Sequence, residues 1–332
     1  MRIEYRRGEA AAVGLAEARR SALIHLPVQF GSNWTSLMGA VEGVLRASGD
    51  ERDTDELMGL SGFAFRLAAR PDVSPDSVNA LHWAVDIPAA LARLGYSCEV
   101  LYAGPDDPLR QFRLTVAHSR IVEQLAAGRP VVAWRIGMPE FGVIHGVDLA
   151  EGTYAVSTAL GERGPSTIPL ARLGSGEVPV LCVIFLGERY PLSEEEVARA
   201  ALRFAVRHAN GKDPDLKSFD TGLAAYETWI ASLREGTADP FGNAYCAQVF
   251  AHARGCAARF LSRLAGKGWR NAQTLALAAG RYSKVTECLE EFTELFSFPP
   301  DPAALASASN RQKGASLLRS ALYYERVAVA TL

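Results

Sequence analysis

The chain has 332 residues, of which 48% are hydrophobic and 22% are charged, and its formal net charge is −2. This composition is ordinary for a globular protein and excludes a broadly basic surface. We therefore expect neither nucleic acid nor a membrane as a partner. The length predicts two domains, because single hydrophobic cores stop growing at roughly 250 to 300 residues.

The cellular location is predicted from segments that the sequence lacks. Charged residues interrupt the first 20 positions, so there is no apolar core of a signal peptide. No uncharged apolar run reaches the roughly 18 residues that a membrane helix needs. The five cysteines are widely spread and form no CxxC pair, which favours free thiols over a disulfide framework or a zinc site. We expect a soluble cytoplasmic protein that holds no metal and no cofactor.

In the first part of the chain, β-rich runs alternate with helical stretches. The predicted strands cover residues 22–26, 98–102, 131–136, 142–147, 153–157 and 178–186. The predicted helices cover residues 34–47, 53–59, 87–94 and 108–127. The last four strands follow one another closely, which favours an antiparallel sheet. Residues 1–190 are therefore predicted to form an α+β domain with a late antiparallel sheet.

The pattern changes at residues 191–196. Ser193 followed by Glu196 predicts a capping box that opens a helix, and no strand is predicted after it. The remaining predicted helices cover residues 193–209, 216–234, 243–265, 269–297 and 303–330. Residues 191–332 are predicted to form an all-α helical bundle domain. A homodimer formed through this domain is one expectation.

The most informative segment is Gln-Phe-Gly-Ser-Asn-Trp-Thr-Ser-Leu at residues 29–37, a glycine turn that leads into an amphipathic helix. A cysteine at a helix N-terminus has its thiolate stabilised by the helix dipole and by free N–H groups. The segment resembles the papain-family run of Gln followed by Gly-Ser-Cys-Trp, with Asn33 where the cysteine would stand. The alternative is that Ser32 or Asn33 only caps the helix.

Two further segments extend the likeness. Residues 130–134, 139–148 and 153–156 read PVVAW, PEFGVIHGVD and TYAV, and the run LMGLSGFAFR covers residues 57–66. They resemble papain-like domains of the bacteriocin-leader peptidase and butirosin-biosynthesis-protein-H type, in the expected order over residues 20–190. The resemblance to the butirosin biosynthesis protein H N-terminal domain family implies a papain-like (cysteine proteinase) fold.

The positions that carry catalysis in that family are replaced here. Asn33 stands for the cysteine, and Glu140, six residues before Gly146, stands for the histidine. Ser157 stands for the aspartate, while His145 lies directly before the glycine. An amide side chain has no lone pair that a base can unmask for acyl transfer. The resemblance therefore implies a catalytically degenerate site.

A degenerate site keeps a groove between a helix N-terminus and a sheet, a shape that binds ligands. The groove is predicted to be lined by Asn33, Trp34, Trp134 and Glu140. The leading hypothesis is a protein that binds a small molecule or a peptide, linked to specialised metabolism or regulation. Ordinary core packing is the alternative for both tryptophans.

The alternative function is an acyltransferase or amide hydrolase of the butirosin type that uses a replaced nucleophile. The candidate nucleophiles are Ser32, Thr35 and Ser36, with Glu140 or His145 as the base. Nothing in the spacing requires this arrangement. A partly buried histidine with satisfied hydrogen bonds is the other interpretation of His145.

The helical half contributes three more candidate ligand-binding residues. Tyr226 and Trp229 lie on one helical face by their spacing, and Arg254 lies on the next helix. These side chains could form one wall of an interdomain pocket. The alternative is that Arg254 makes only an interhelical ion pair, with Glu227 or Glu325.

Overall fold

The computed structural model describes residues 23–212 and 216–332. The α+β prediction is confirmed, because the described chain combines helices with an antiparallel sheet and continues into C-terminal helices. These residues form two compact units. The described residues of the first unit are 23–32, 39–51 and 98–187, and those of the second are 33–38, 52–97, 188–212 and 216–332. The domain boundary near residue 190 stays a prediction.

The helices and strands are numbered in chain order through the described residues. The helices are α1 (Ser36–Ala47), α2 (Thr54–Ser61), α3 (Trp83–Arg93), α4 (Arg110–Ala126), α5 (Glu194–Ala209), α6 (Leu223–Glu235), α7 (Pro240–Ala265), α8 (Ala272–Leu295), α9 (Pro302–Ala306) and α10 (Ala308–Thr331). The strands are β1 (Leu23–His25), β2 (Ala68–Ala69), β3 (Tyr96–Ala103), β4 (Val131–Trp134), β5 (Phe141–Asp148), β6 (Thr153–Ser157), β7 (Thr167–Pro169), β8 (Leu181–Arg189) and β9 (Asp220–Thr221).

The main sheet has the strand order β3-β8-β4-β5-β6-β7, and β1 also pairs with β5. Strand β5 is antiparallel to β1, β4 and β6. The register places Trp134 opposite Phe141 and Ser157 opposite Val143. This register therefore places three strand ends at the same end of the sheet: the end of β4, the start of β5 and the end of β6. We call the connecting segments there, residues 135–140 and 158–166, the loop end of the sheet.

Helix α4 covers one face of this sheet. Its buried residues Ala117, Ile121 and Leu125 recur every four positions, which places them on one face of the helix. They share a core cluster with Ile144 and Val147 of β5. Fully burying an Ile or Leu side chain contributes about 1.5–3 kcal/mol, so this interface stabilises the first unit.

Two glycines of α1 allow the preceding backbone to pass directly against the helix. Gly31 N donates a hydrogen bond to Gly39 O at 2.8 Å. A Cβ atom added to Gly43 would lie 2.3 Å from the carbonyl oxygen of Gln29. Side chains at Gly39 and Gly43 would displace residues 29–31, so the position of this segment depends on both glycines.

The second unit has an aromatic core. Trp229 is fully buried and packs edge-on against Phe250 and Phe292, with ring centroids 6.1 and 5.2 Å away. The predicted cap at Ser193 is confirmed, because its hydroxyl accepts a hydrogen bond from Glu196 N at 3.5 Å. None of the described helices is both long enough and apolar enough to span a membrane.

Three predictions about the second half are wrong in detail. The two-residue strand β9 pairs with β2, although no strand was predicted after residue 191. The predicted helix 216–234 begins only at Leu223, as α6. The predicted helix 303–330 is two helices, because Ser307 has an extended backbone with φ −67° and ψ 116°. Its hydroxyl accepts a hydrogen bond from Asn310 N at 3.3 Å and so caps α10.

Candidate functional site

Asn33 forms the turn that leads into α1. Its Oδ1 atom accepts a hydrogen bond from Thr35 N at 2.9 Å, which closes an Asx turn directly before the helix. The Nδ2 atom is buried and has no hydrogen-bond partner among the described residues. A buried donor left unpaired costs about 1–3 kcal/mol. One end of this amide therefore holds the turn, and the other end offers an unused donor.

An aromatic patch lies in the same compact unit as Asn33. Trp34 is 40% exposed and packs edge-on against Phe298, with ring centroids 5.8 Å apart. Phe298 in turn contacts Phe241, which is 48% exposed, and Tyr245. We call Trp34, Phe241, Tyr245 and Phe298 the aromatic patch. Clustered exposed aromatic side chains are typical of binding surfaces.

Two of the hydroxyl candidates beside Asn33, Ser32 and Thr35, have no hydrogen-bonded base among the described residues. Ser32 is exposed and Thr35 is buried. In the part of the chain that the structure describes, neither hydroxyl hydrogen-bonds a histidine or a carboxylate. A hydroxyl nucleophile needs an adjacent base within hydrogen-bond reach to become reactive. These two residues therefore lack the contact that the catalytic hypothesis requires.

Trp134 and Glu140 flank the loop end of the sheet in the first unit. Trp134 is half-buried and packs against Phe141, with ring centroids 5.0 Å apart. Glu140 is buried, and its carbonyl oxygen accepts a hydrogen bond from Arg135 N at 2.8 Å. This bond closes the β4–β5 connection. Trp134 is the last residue of β4, and Glu140 is the last residue of the connection that follows it.

Ser157 ties the segment before α1 to the sheet. Its hydroxyl accepts a hydrogen bond from Phe30 N at 3.0 Å. An aspartate at this position would add a negative charge that orients and stabilises a histidine. The serine hydroxyl carries no charge and already accepts a backbone hydrogen bond. The position therefore contributes to structure and not to acid-base chemistry.

His145 lies further along β5 than Glu140. It occupies the irregularity in the β5–β6 register, with its ring 4.8 Å from that of His25. Burial, and then repulsion from His25, lower the pKa of His145, so the ring is neutral at pH 7. Five residues separate it from Glu140, which is roughly 16 Å along a strand. The structure does not bring the two candidate bases together.

Arg254 and Glu325 form a buried ion pair in the second unit. Arg254 has no exposure, and its Nη2 and Nε atoms donate hydrogen bonds to the Glu325 carboxylate at 2.7 and 3.0 Å. The Tyr226 hydroxyl donates to the same carboxylate at 2.6 Å. Burial disfavours the charged form of Arg254, but Glu325 outweighs it and raises the pKa of Arg254. Glu227, the other predicted partner, instead lies 3.8 Å from Arg326.

Trp229 completes this polar part of the core. Its Nε1 atom donates a hydrogen bond to Asn243 Oδ1 at 2.8 Å. Tyr226, Trp229 and Arg254 have no exposed surface in this structure. They join α6, α7 and α10 to one another, and the ion-pair interpretation of Arg254 matches its contacts.

The sequence prediction missed a polar pocket of about 390 Å³ in the first unit. Its lining includes Arg135 and Arg172, and neither guanidinium makes an ion pair with a described residue. Arg135 has a positive φ of 65°, which is strained for a non-glycine residue. The two arginines come from loops that lie 37 positions apart, so no local pattern in the sequence indicates the pocket.

Burial keeps the thiols of Cys98 and Cys256 from forming reactive thiolates. Burial raises the pKa of Cys98 to about 11 and that of Cys256 to about 12. Both thiols are therefore protonated at neutral pH. Among the described residues, no group of three or more His, Cys, Asp or Glu side chains is placed to hold a metal ion.

The chain was compared with protein-family models and with curated protein sequences. No family model and no curated sequence matches it. The geometry described above therefore supplies the argument for function.

Proposed function

We propose that this chain is a catalytically degenerate protein with a papain-like fold of the butirosin type, and that it binds a small molecule or a peptide at the start of α1. The observation that carries the proposal is the buried, unpartnered Nδ2 atom of Asn33 beside the exposed aromatic patch. A ligand carbonyl would accept a hydrogen bond from Nδ2, and an aromatic group of the ligand would pack on Trp34.

Binding without catalysis is supported by the contacts of Asn33 and Ser157 and by the position of His145. Asn33 uses its carbonyl oxygen to hold the turn, and Ser157 accepts a hydrogen bond from the backbone. His145 is neutral and lies several residues beyond Glu140 on β5. Acyl transfer needs a nucleophile and a base within hydrogen-bond reach, with a third group that orients the base. The contacts described for these residues do not supply that set.

The first test is a thermal-shift and calorimetric comparison of four probes on the whole chain. N-acetylphenylalanine amide and a phenylacetyl thioester carry both a carbonyl and an aromatic ring. N-acetylalanine amide lacks the ring, and an aminoglycoside lacks both features. We expect the first two to raise the melting temperature and the last two to have little effect, because binding to the folded state alone stabilises it.

Substitutions of Asn33 separate the binding role from the folding role. Asn33→Asp keeps an oxygen for Thr35 N but removes the donor, so we expect the turn to be retained and binding to be about tenfold weaker. Asn271, which precedes α8 and is exposed, provides the matched control in Asn271→Asp. Equal affinity of Asn33→Asp and wild type would contradict the proposal, as would the absence of any shift with the aromatic probes.

A further inference from the structure

Three arginines surround one depression between the end of α6 and the face of α10. The depression has a volume of about 270 Å³, and its lining includes Arg234, Arg311 and Arg319. Within the described ranges, none of the three guanidinium groups makes an ion pair with a carboxylate. The site lies in the second unit and uses no residue of the aromatic patch, so it does not depend on the function proposed above.

The arginines are held by the local structure. Arg311 Nη1 donates hydrogen bonds to the carbonyl oxygens of Leu305 and Ala306, at 2.9 and 2.6 Å, where α9 ends. Arg319 Nη2 donates to Ser316 Oγ at 3.2 Å. These bonds restrict both side chains and leave further N–H groups of each guanidinium unused. Guanidinium groups bind phosphate and carboxylate oxygens through two parallel hydrogen bonds.

The charge of this depression differs from that of the chain as a whole. The sequence has 37 acidic and 35 basic residues, yet no acidic side chain lines the depression. Three guanidinium groups around one small volume repel one another, and the repulsion is relieved when an anion enters. A ligand with two or more linked negative charges is the best match for three cations.

A second depression continues from Arg319 along the same helix. It has a volume of about 420 Å³ and is lined by Ser316, Arg319, Ser320, Tyr323 and Tyr324. Arg319 lies eight residues after Arg311 and four residues before Tyr323, so the three positions fall within about a third of the circumference of α10, and Tyr323 lies about 6 Å along the helix from Arg319. Tyr323 is 62% exposed and its ring is 5.4 Å from that of Tyr324.

We propose that this face of α10 binds a soluble nucleoside diphosphate. The two phosphates contact Arg234, Arg311 and Arg319, and the base stacks on the exposed ring of Tyr323. Stacking on an aromatic side chain is tolerant of base identity, because every base has a π face. The hydroxyls of Ser316 and Ser320 lie between the two ends, where a sugar would sit.

The test is a calorimetric titration of the full chain with ADP, pyrophosphate, AMP and adenosine at low and at moderate salt. We expect ADP to bind most tightly, pyrophosphate more weakly, and adenosine not at all. Arg319→Gln should weaken ADP binding about tenfold or more, since it removes charge-assisted hydrogen bonds. Tyr323→Leu should weaken ADP binding at least about fivefold and leave pyrophosphate binding unchanged.

Lys313→Gln is the matched control, because Lys313 is an exposed cation of α10 that does not line either depression. Its effect on ADP binding should be less than about twofold. Equal weakening by Lys313→Gln and Arg319→Gln would indicate general attraction to a charged helix and would overturn the proposal. No binding of ADP or pyrophosphate at millimolar concentration would also overturn it. An unchanged ADP affinity in Tyr323→Leu would refute the nucleoside part.

Discussion

Loss of the buried Arg254–Glu325 pair should strongly destabilise the second unit. Glu325→Gln leaves the Arg254 charge buried without a counter-ion, and breaking a buried ion pair on one side costs about 3–5 kcal/mol. Urea denaturation should therefore show a free energy of unfolding lower by about that amount. The exposed pair of Glu227 with Arg326 provides the control, and Glu227→Gln should cost less than about 1 kcal/mol.

The paired substitution distinguishes the charge from the packing. Arg254→Met combined with Glu325→Leu removes both charges and keeps apolar volume, so it should recover part of the stability lost in Glu325→Gln. A Glu325→Gln cost as small as that of Glu227→Gln would show that the ion pair is not an important contact of the core.

The sequence predicted an ion pair of Arg254 but did not determine which glutamate is its partner. Glu227 and Glu325 were both possible, because helical periodicity shows which residues share a face and not which helix that face meets. The same limit applies to Asn33. Its position before α1 follows from local pattern, whereas the contact of Trp34 with Phe298 joins residues 264 positions apart. Long-range contacts of this kind leave no trace in a single sequence.

Local signals predicted some helix ends. Ser193 caps α5 as its spacing from Glu196 indicates, whereas Asp239, which accepts a hydrogen bond from Gly242 N at 2.5 Å, caps α7, which begins three residues before the predicted start at residue 243. Caps involve neighbours three residues apart, so the sequence contains the whole interaction. Strands β2, β7 and β9 were missed because segments of two or three residues show no periodicity. They are defined by pairing, β7 with β6 and β2 with β9.

At Gly43 in α1, close packing against the preceding segment opposes the higher helix propensity that alanine would bring. Gly43→Ala should improve helix propensity, yet the added Cβ would lie 2.3 Å from the carbonyl oxygen of Gln29. We expect a net loss of about 1–3 kcal/mol in thermal or urea unfolding, because the segment before α1 has to move. Gly280→Ala in α8 is the control, since nothing lies within 4 Å of its added Cβ. That variant should gain about 0.5–1 kcal/mol. Similar gains at both positions would refute the close packing at Gly43.

At the scale of the whole molecule, the second unit draws on three separate parts of the chain. Arg254 Nη1 donates a hydrogen bond to Ala64 O at 3.4 Å, and Leu67 N donates to His208 Nε2 at 2.9 Å. Residues 52–97 belong to this unit along with the C-terminal helices. The change of sequence pattern near residue 190 marks the start of the mainly helical part of the chain. That pattern does not show that residues 52–97 belong to the same compact unit as the C-terminal helices.

We therefore predict that residues 191–332, expressed alone, do not form a stably folded helical bundle. The fragment would leave the Arg254 guanidinium without its backbone acceptors and would remove Val73 from the core cluster. Each buried polar group left unpaired costs about 1–3 kcal/mol, against a typical total stability of about 5–15 kcal/mol. Circular dichroism should show helix that melts without a cooperative transition, and addition of a peptide covering residues 52–97 should sharpen the melt. A sharp transition of the fragment alone, near the melting temperature of the full chain, would show that residues 191–332 are an autonomous domain and that residues 52–97 only cover its surface.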